Sequence, residues 1–401
     1  MVIHFYYDVV CPYAYMASTR IEALAARYGA EVEWKPILLG GVFKSIAAPQ
    51  RPADTWSSER QVQIARDLLR QAAYWGVPLR MHPRHPVRSV DAMRLILVAD
   101  PADRPALSRR LYRAYFEESA DIDDPAVLGR IGAEYGLDAA GVKDPAIKAE
   151  LHARTAEAVS RGVFGVPAVF VEGKGWWWGQ DRLHFVEAAL GGPAHHPGFT
   201  GPRTGGALRF FHDFASPFSY LASTQIQALA DARGAALTWS PILLGALFRD
   251  IGTPDVPLFE MSAPKAQYYA RDLADWAAWW GVPFGFPSTF PVRTVLPLRV
   301  ALQDQRAVAP LYRALWAEDR DIGDPAVVAE VLQEAGLDAR GLIEGAQDPA
   351  IKAALRANTE EARALGVCGV PTTLVNGAQL IWGQDRLGLV DAALTGAMTA
   401  V

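Results

Sequence analysis

The apolar positions of this chain follow one pattern of spacings twice. Val2–Val9 and Ala207–Phe214 are aromatic and β-branched runs without helical spacing, which predicts buried strands. A turn containing Pro12 or Pro217 follows. Ala, Leu, Ile and Met then recur at helical spacing over Tyr13–Tyr28 and Phe218–Arg233. Proline suits a first helical turn, where its missing N–H would have had no partner. Glu31–Leu38 and Ala236–Leu243 return to strand-like patterning. The long middle section of the first half predicts helices over Arg60–Trp75, Val90–Leu97, Ala106–Phe116, Pro125–Tyr135 and Asp144–Ser160. Asp124-Pro125 and Asp144-Pro145 supply start signals for two of them. Each half closes with Gly-Val-Pro, a strand over Ala168–Val171 or Thr372–Val375, and a last helix from Gln180 or Gln384. The turn between that strand and that helix leaves room for one further short strand.

The repetition extends to the residues themselves. Asp8-Val9-Val10-Cys11-Pro12-Tyr13-Ala14-Tyr15 returns as Asp213-Phe214-Ala215-Ser216-Pro217-Phe218-Ser219-Tyr220, at a spacing of 205. The spacing becomes 200 at Leu111-Tyr112-Arg113-Ala114 and 204 at Asp144-Pro145-Ala146-Ile147-Lys148. Changes of that size are loop-length changes within one fold. A period near 200 also far exceeds the roughly 20–50 residues of a solenoid unit. The elements predict an α/β protein: two tandem thioredoxin-like domains, each split by a large all-helical insertion. The Gly/Pro-rich stretch 191–206 reads as a linker between domains 1–190 and 207–401. His195 and His196 within it are neighbours in a flexible tract and make a poor metal cage.

Composition narrows the function. A net charge of −5 over 401 residues, with the signs interspersed, argues against nucleic acid or an anionic membrane as partner. No stretch approaches the about 18 apolar residues of a membrane span, and Asp8 and Pro12 interrupt any secretory pattern at the start. Cys11 and Cys368 are the two cysteines, so there is no disulfide framework. The cytoplasm is the expected location.

The second half carries Asp213–Ala222, Pro-Ile-Leu-Leu-Gly at 241–245, Ala-Pro-Lys at 263–265, Gly-Val-Pro-Thr at 369–372 and Trp-Gly-Gln-Asp-Arg-Leu at 382–387. In this order and spacing the set resembles the 2-hydroxychromene-2-carboxylate isomerases and the related kappa-class glutathione transferases, both within the wider DsbA-like group. The resemblance covers nearly all of residues 207–395. It extends to 1–190 with the same architecture and weaker site residues. It implies glutathione with its sulfur near Ser216, its backbone against Val370 and Pro371, its γ-glutamyl end near Gln384 and Asp385, and a carboxylate near Lys265. A hydroxyl at a helix N-terminus stabilises a thiolate, and a cis Pro371 would aim Val370 at an extended peptide, although sequence does not reveal the isomer. The implied reaction is isomerisation of an aromatic ring-cleavage product: reversible thiolate addition to a conjugated enone, rotation, and elimination. No metal is needed. Relatives of this kind pair as homodimers, so the fusion is expected to form an intrachain pseudo-dimer acting on a small aromatic substrate.

Each of these residues also has a structural reading. Ser216 beside Pro217 is by itself an N-cap; within the constellation it reads as functional. Asp385 and Lys265 are equally at home as solvated surface. Arg88 and Arg293 stand where the family often has Asn, and would bind a substrate carboxylate or pair with a surface acid. Tyr74-Trp75 and Trp279-Trp280 read as helical core. In the first half Arg60 corresponds to Lys265 and Cys11 to Ser216, while Val166, Pro167, Gln180 and Asp181 remain. Cys11-Pro12-Tyr13-Ala14 lacks a second cysteine, which excludes a dithiol cycle within the motif. Cys11 is left as a low-pKa thiolate or as a buried small hydrophobe. The rival functions are a thiol–disulfide oxidoreductase or kappa-like transferase using Cys11, and a non-catalytic thioredoxin-like binding protein.

Overall fold

Residues 1–398 are described by the computed structural model. The chain packs into two compact units. Unit 1 comprises Met1–Thr55, Trp75–Ala194 and Ser262–Tyr268; unit 2 comprises Trp56–Tyr74, His195–Met261 and the chain from Tyr269 on. The sheets follow the sequence repeat, but the packing does not. The helix Ser58–Tyr74 of the first half belongs to unit 2, and the first turns of the second half's helix Ala263–Trp280 belong to unit 1.

Unit 1 is built on β1 (Val2–Tyr7), β2 (Glu31–Pro36), β3 (Ala168–Val171) and β4 (Gly175–Trp178) in the order β2-β1-β3-β4. β1 runs parallel to β2 and antiparallel to β3, and β4 is antiparallel to β3. Unit 2 repeats this with β5 (Ala207–His212), β6 (Ala236–Pro241), β7 (Thr372–Val375) and β8 (Gln379–Trp382) in the order β6-β5-β7-β8. β4 and β8 are the short strands the sequence left open. Ile3, Phe5, Tyr6 and Tyr7 are fully buried, which explains why β1 reads as a continuous apolar run rather than an alternating one. The Asp-Pro signals act as read. Asp124 and Asp144 accept from Ala126 N and Ala146 N at the starts of Pro125–Ala133 and Pro145–Ser160.

The helix expected over Tyr13–Tyr28 is two helices, Pro12–Ser18 and Ile21–Arg27, whereas Pro217–Arg233 is continuous. Arg20 explains the break. Its Nε donates to Met16 O, and its backbone N–H turns to Ala17 O instead. The same guanidinium reaches Gln180. Tyr74 and Trp75 depart from the expected core: each is 44% exposed, and Arg20 lies 3.7 Å above the Trp75 ring. Segment 191–206 has no helix or strand, as a linker should, but its unit 2 part is tied down. Arg233, 3% exposed, holds Thr200 O and Asp391, and His195 Nδ1 sits 2.9 Å from Ala278 O.

In unit 2 the helix Ser58–Tyr74 covers the free edge of β8. Arg70 Nη1 donates 2.7 Å to Leu380 O, and Gln63 Nε2 donates to Gly366 O. An edge carbonyl row left open is a template for foreign strands, and here a buried guanidinium occupies it.

Candidate functional site

Strand β5 delivers its chain into a tight turn and then into the helix Pro217–Arg233, with Ser216 as N-cap. Ser216 is 4% exposed; its Oγ accepts from Ser219 N at 3.1 Å and donates to Val370 O at 3.1 Å. The Val370–Pro371 bond is cis, which the sequence left undecided. Unit 1 reproduces the arrangement with sulfur: Cys11 Sγ donates 3.2 Å to Val166 O, and Val166–Pro167 is cis. The structure therefore joins Ser216 to Val370 and Cys11 to Val166. Of the two readings left open for Cys11, this environment favours the buried thiol. Burial pushes Cys11 up to about 12, outweighing the backbone N–H groups of Ala14 and Tyr13 at the helix end. A low-pKa thiolate is not what this environment makes.

The Trp-Gly-Gln-Asp-Arg segments form tight turns after β4 and β8. Gly383 has φ +117°, and a Cβ on it would lie 2.6 Å from Asp385 Oδ1, so the glycine makes room for that carboxylate. Asp385 pairs with Arg386 at 3.1 Å, and Arg386 in turn pairs with Asp67 at 2.9 Å. Gln384 is buried and accepts from Trp280 Nε1. In unit 1 Gln180 is held by Arg20, and Asp181 pairs with Arg182 at 2.9 Å. A groove of about 600 Å³ is lined by Arg20, Trp75, Gln180 and Asp181, but Cys11 does not border it.

The cations are exchanged relative to expectation. Lys265, expected beside Ser216, belongs to unit 1 and lies 5.8 Å above the Trp178 ring. Arg60, expected beside Cys11, belongs to unit 2, 4.8 Å above Trp56 and 5.8 Å above Trp382. Trp382 in turn lies flat on Gly369, one residue before the cis bond, where a Cβ would meet Nε1 at 3.0 Å. Arg60 also acts on Cys368, a 4%-exposed thiol that burial pushes up to about 12 against its pull. The reason is packing: the helix that carries Arg60 belongs to the unit founded by the second half, and the first turns of the helix that carries Lys265 belong to the unit founded by the first. Intra-half alignment carries no signal of that.

Two carboxylates were missed. Asp213, 1% exposed, accepts from Ala215 N and Leu244 N, and Thr294 adds a side-chain bond. Asp8 does the same with Val10 N, Leu39 N and Ser89 Oγ, and burial raises it to about 6. Each clasps three loops around the Ser216 or Cys11 turn. Their return at the same place in both halves was the available signal. Arg88 and Arg293 are exposed and each precedes the clasp residue, Ser89 or Thr294.

The sequence matches the DSBA-like thioredoxin domain over residues 2–191 and again over 207–395. The chain belongs to the DsbA-like thioredoxin family. It does so twice, as a tandem duplication. It is 30% identical over 202 residues to 2-hydroxychromene-2-carboxylate isomerase of Sphingobium xenophagum, covering 47% of this chain and 97% of that protein. It is 27% identical over 199 residues to glutathione S-transferase kappa 2 of Caenorhabditis elegans, covering 45% and 88%. A solved 2-hydroxychromene-2-carboxylate isomerase structure aligns at 27% identity and a TM-score of 0.40, covering 48% of this chain and 95% of that one. Each relative spans nearly its own whole length and about half of this DsbA-like chain. Among the described residues no helix is long and apolar enough to cross a membrane, and no group of His, Cys, Asp or Glu forms a metal site.

Proposed function

We propose that the chain is a glutathione-dependent enzyme whose working centre is Ser216, with isomerisation of the 2-hydroxychromene-2-carboxylate type as its reaction. The observation that carries this is the Ser216 hydroxyl at the N-terminus of a 17-residue helix, in hydrogen-bond contact with the carbonyl of a cis X-Pro pair. Glutathione sulfur takes the place of Val370 O as acceptor of the Ser216 O–H, and the helix end favours its ionisation. The thiolate adds to the β-carbon of a conjugated enone, its electron pair forming the C–S bond and displacing the π pair onto the carbonyl oxygen. The former double bond rotates, the pair returns, and the C–S bond breaks to release isomer and thiolate. Nothing is oxidised.

Arg60 is proposed for the carboxylate role first given to Lys265, and Asp385 for the α-amino group. Val370, Pro371 and Gln384 would line the peptide. Lys265, Gln180, Asp181, Val166 and Pro167 make the corresponding set around Cys11. The test is calorimetric titration of the full chain with glutathione. The full chain is required because residues 207–401 alone lack Trp56–Tyr74 of their unit. Ser216→Ala and Arg60→Ala are expected to weaken one binding event about tenfold or more, while Lys265→Ala leaves that event intact. Absence of glutathione binding, or binding indifferent to Ser216 and Arg60, sinks the reading. The kappa-transferase reading shares every step up to the adduct, and recovery of free glutathione rather than conjugate after turnover separates the two.

A further inference from the structure

The two halves shape the same surface groove, and one of them fills it with its own chain. In unit 1 the groove of about 600 Å³ is lined by Thr19, Leu24, Arg27, Trp75, Leu183 and Glu187 among others. Their repeat positions in unit 2 are Thr224, Leu229, Ala232, Trp280, Leu387 and Asp391. Over these lies segment 195–202, which the sequence marks only as linker. His196 N–H donates 2.9 Å to Trp279 O, and its ring meets that of Trp280 at 4.5 Å. Phe199 packs beside the same ring and against the core that contains Leu229 and Leu387. Arg233, paired with Asp391, donates 2.7 Å to Thr200 O and lies 3.5 Å from Pro202 O. Gly201, at φ +121°, lets the chain cross that guanidinium, because a Cβ there would lie 3.3 Å from Nη1.

The cover shows in the burial of matched positions. Trp75 is 44% exposed, whereas Trp280 is half-buried. Thr19 and Arg27 are exposed, whereas Thr224 and Ala232 are half-buried. Unit 1 keeps the apolar floor of Leu24 and Leu183 and the ring wall of Trp75, with Arg20 3.7 Å above that ring. Its acidic corner is kept too: Glu187 accepts from Tyr28 Oη at 2.8 Å and pairs with Arg27 at 3.1 Å, where unit 2 has Asp391 and Arg233. An exposed ring over an apolar floor with a polar rim is the make-up of a docking groove. The occupant in unit 2 tells what kind of partner fits it. Segment 195–202 has no helix or strand and carries two prolines and two glycines, so the groove receives a bare stretch of chain through one ring and a few backbone carbonyls.

We infer that the unit 1 groove is a docking site for a peptide segment of another protein, of the kind that segment 195–202 exemplifies: without helix or strand, with a ring to set against Trp75 and prolines that limit the entropy lost on docking. The site is apart from Ser216, and its test needs no glutathione. The probe is a peptide of residues 195–202, amidated and carrying an N-terminal fluorophore, titrated into the full chain and followed by anisotropy. Wild type is expected to bind it, and Trp75→Ala to lose about tenfold or more. Tyr28→Arg places beside Glu187 the guanidinium that unit 2 uses on Thr200 O, and should tighten binding about threefold. Damage to the fold would move affinity the other way. The same peptide with a benzophenone in place of the fluorophore should be captured within residues 19–27 or 183–187. Three results overturn the inference: wild type that ignores the peptide at millimolar concentration, either variant binding it as wild type does, or capture within 224–232 by exchange with the chain's own segment. Failure to bind glutathione overturns only the proposed function.

Discussion

Replacing Ser216 by Ala and by Cys separates the structural role of this residue from its chemistry. The hydroxyl makes two bonds, accepting from Ser219 N and donating to Val370 O. Ser216→Ala removes an N-cap, worth about 1 kcal/mol, and strands a buried carbonyl, worth about 1–3 kcal/mol. The expected loss of stability is about 2–4 kcal/mol. Ser216→Cys is different because the fold already tolerates it: Cys11 Sγ reaches Val166 O at 3.2 Å in the equivalent place. Its expected loss is below about 1.5 kcal/mol. The thiol nevertheless replaces a strong donor by a weak one, so glutathione-dependent turnover is expected to fall about tenfold or more in both variants. Urea unfolding gives the stability change as the midpoint shift times m, and an isomerase assay gives the rate. If Ser216→Cys is as unstable as Ser216→Ala, the bond account is wrong. If Ser216→Cys turns over like wild type, the hydroxyl is not the acting group.

Other expectations concern titration and anchoring. His212 is fully buried in unit 2, and burial lowers it to about 3. The unfolded chain therefore binds the extra proton first, and stability falls as pH drops from about 6.5 towards 3, by up to about 4–5 kcal/mol; His212→Phe should flatten that slope in pH-dependent unfolding. Asp8 has the opposite sign. Raised to about 6 by burial, it favours the fold when protonated, and up to about 3 kcal/mol is lost as pH rises from about 4 through 6; Asp8→Asn should remove that ramp. Arg70→Met leaves Leu380 O without its donor and should cost about 2–4 kcal/mol, with faster amide exchange along β8 as the readout. Gly383→Ala forces a side chain at φ +117° against Asp385 and should cost about 1–3 kcal/mol, together with weakened glutathione binding.

Much of the architecture was legible because it rests on local chemistry. Aromatic and β-branched runs gave β1 and β5, and Asp-Pro pairs marked helix starts that the structure caps with those same aspartates. Spacing also located the turns that hold Ser216, Val370 and Asp385. What escaped depends on contacts between distant stretches. The Tyr13–Tyr28 pattern does not contain the Arg20 hold on Gln180, 160 residues away, that accompanies its break. The apolar face of Arg60–Trp75 predicts a helix but does not say which sheet it covers, so the sequence does not show that Arg60 belongs to unit 2 and Lys265 to unit 1. Asp8 and Asp213 fall inside the predicted strand runs, and burial of a carboxylate is invisible until its three donors are placed.

The Cys11/Ser216 difference is then a difference in titration rather than in position. Both atoms occupy the same helix cap and face the same kind of carbonyl, at 3.2 and 3.1 Å. A serine hydroxyl donates a hydrogen bond without ionising, so burial does not disable it. A cysteine acts as a nucleophile only as thiolate, and burial holds Cys11 up to about 12. The same pocket that suits a serine which stabilises someone else's thiolate therefore suppresses a cysteine which would need to form its own. Redox chemistry at Cys11 would require the site to open and the bond to Val166 O to be given up. Ser216 has only to turn its hydrogen from Val370 O to an arriving sulfur. On these grounds the proposed catalytic centre is Ser216, in the second half, rather than Cys11.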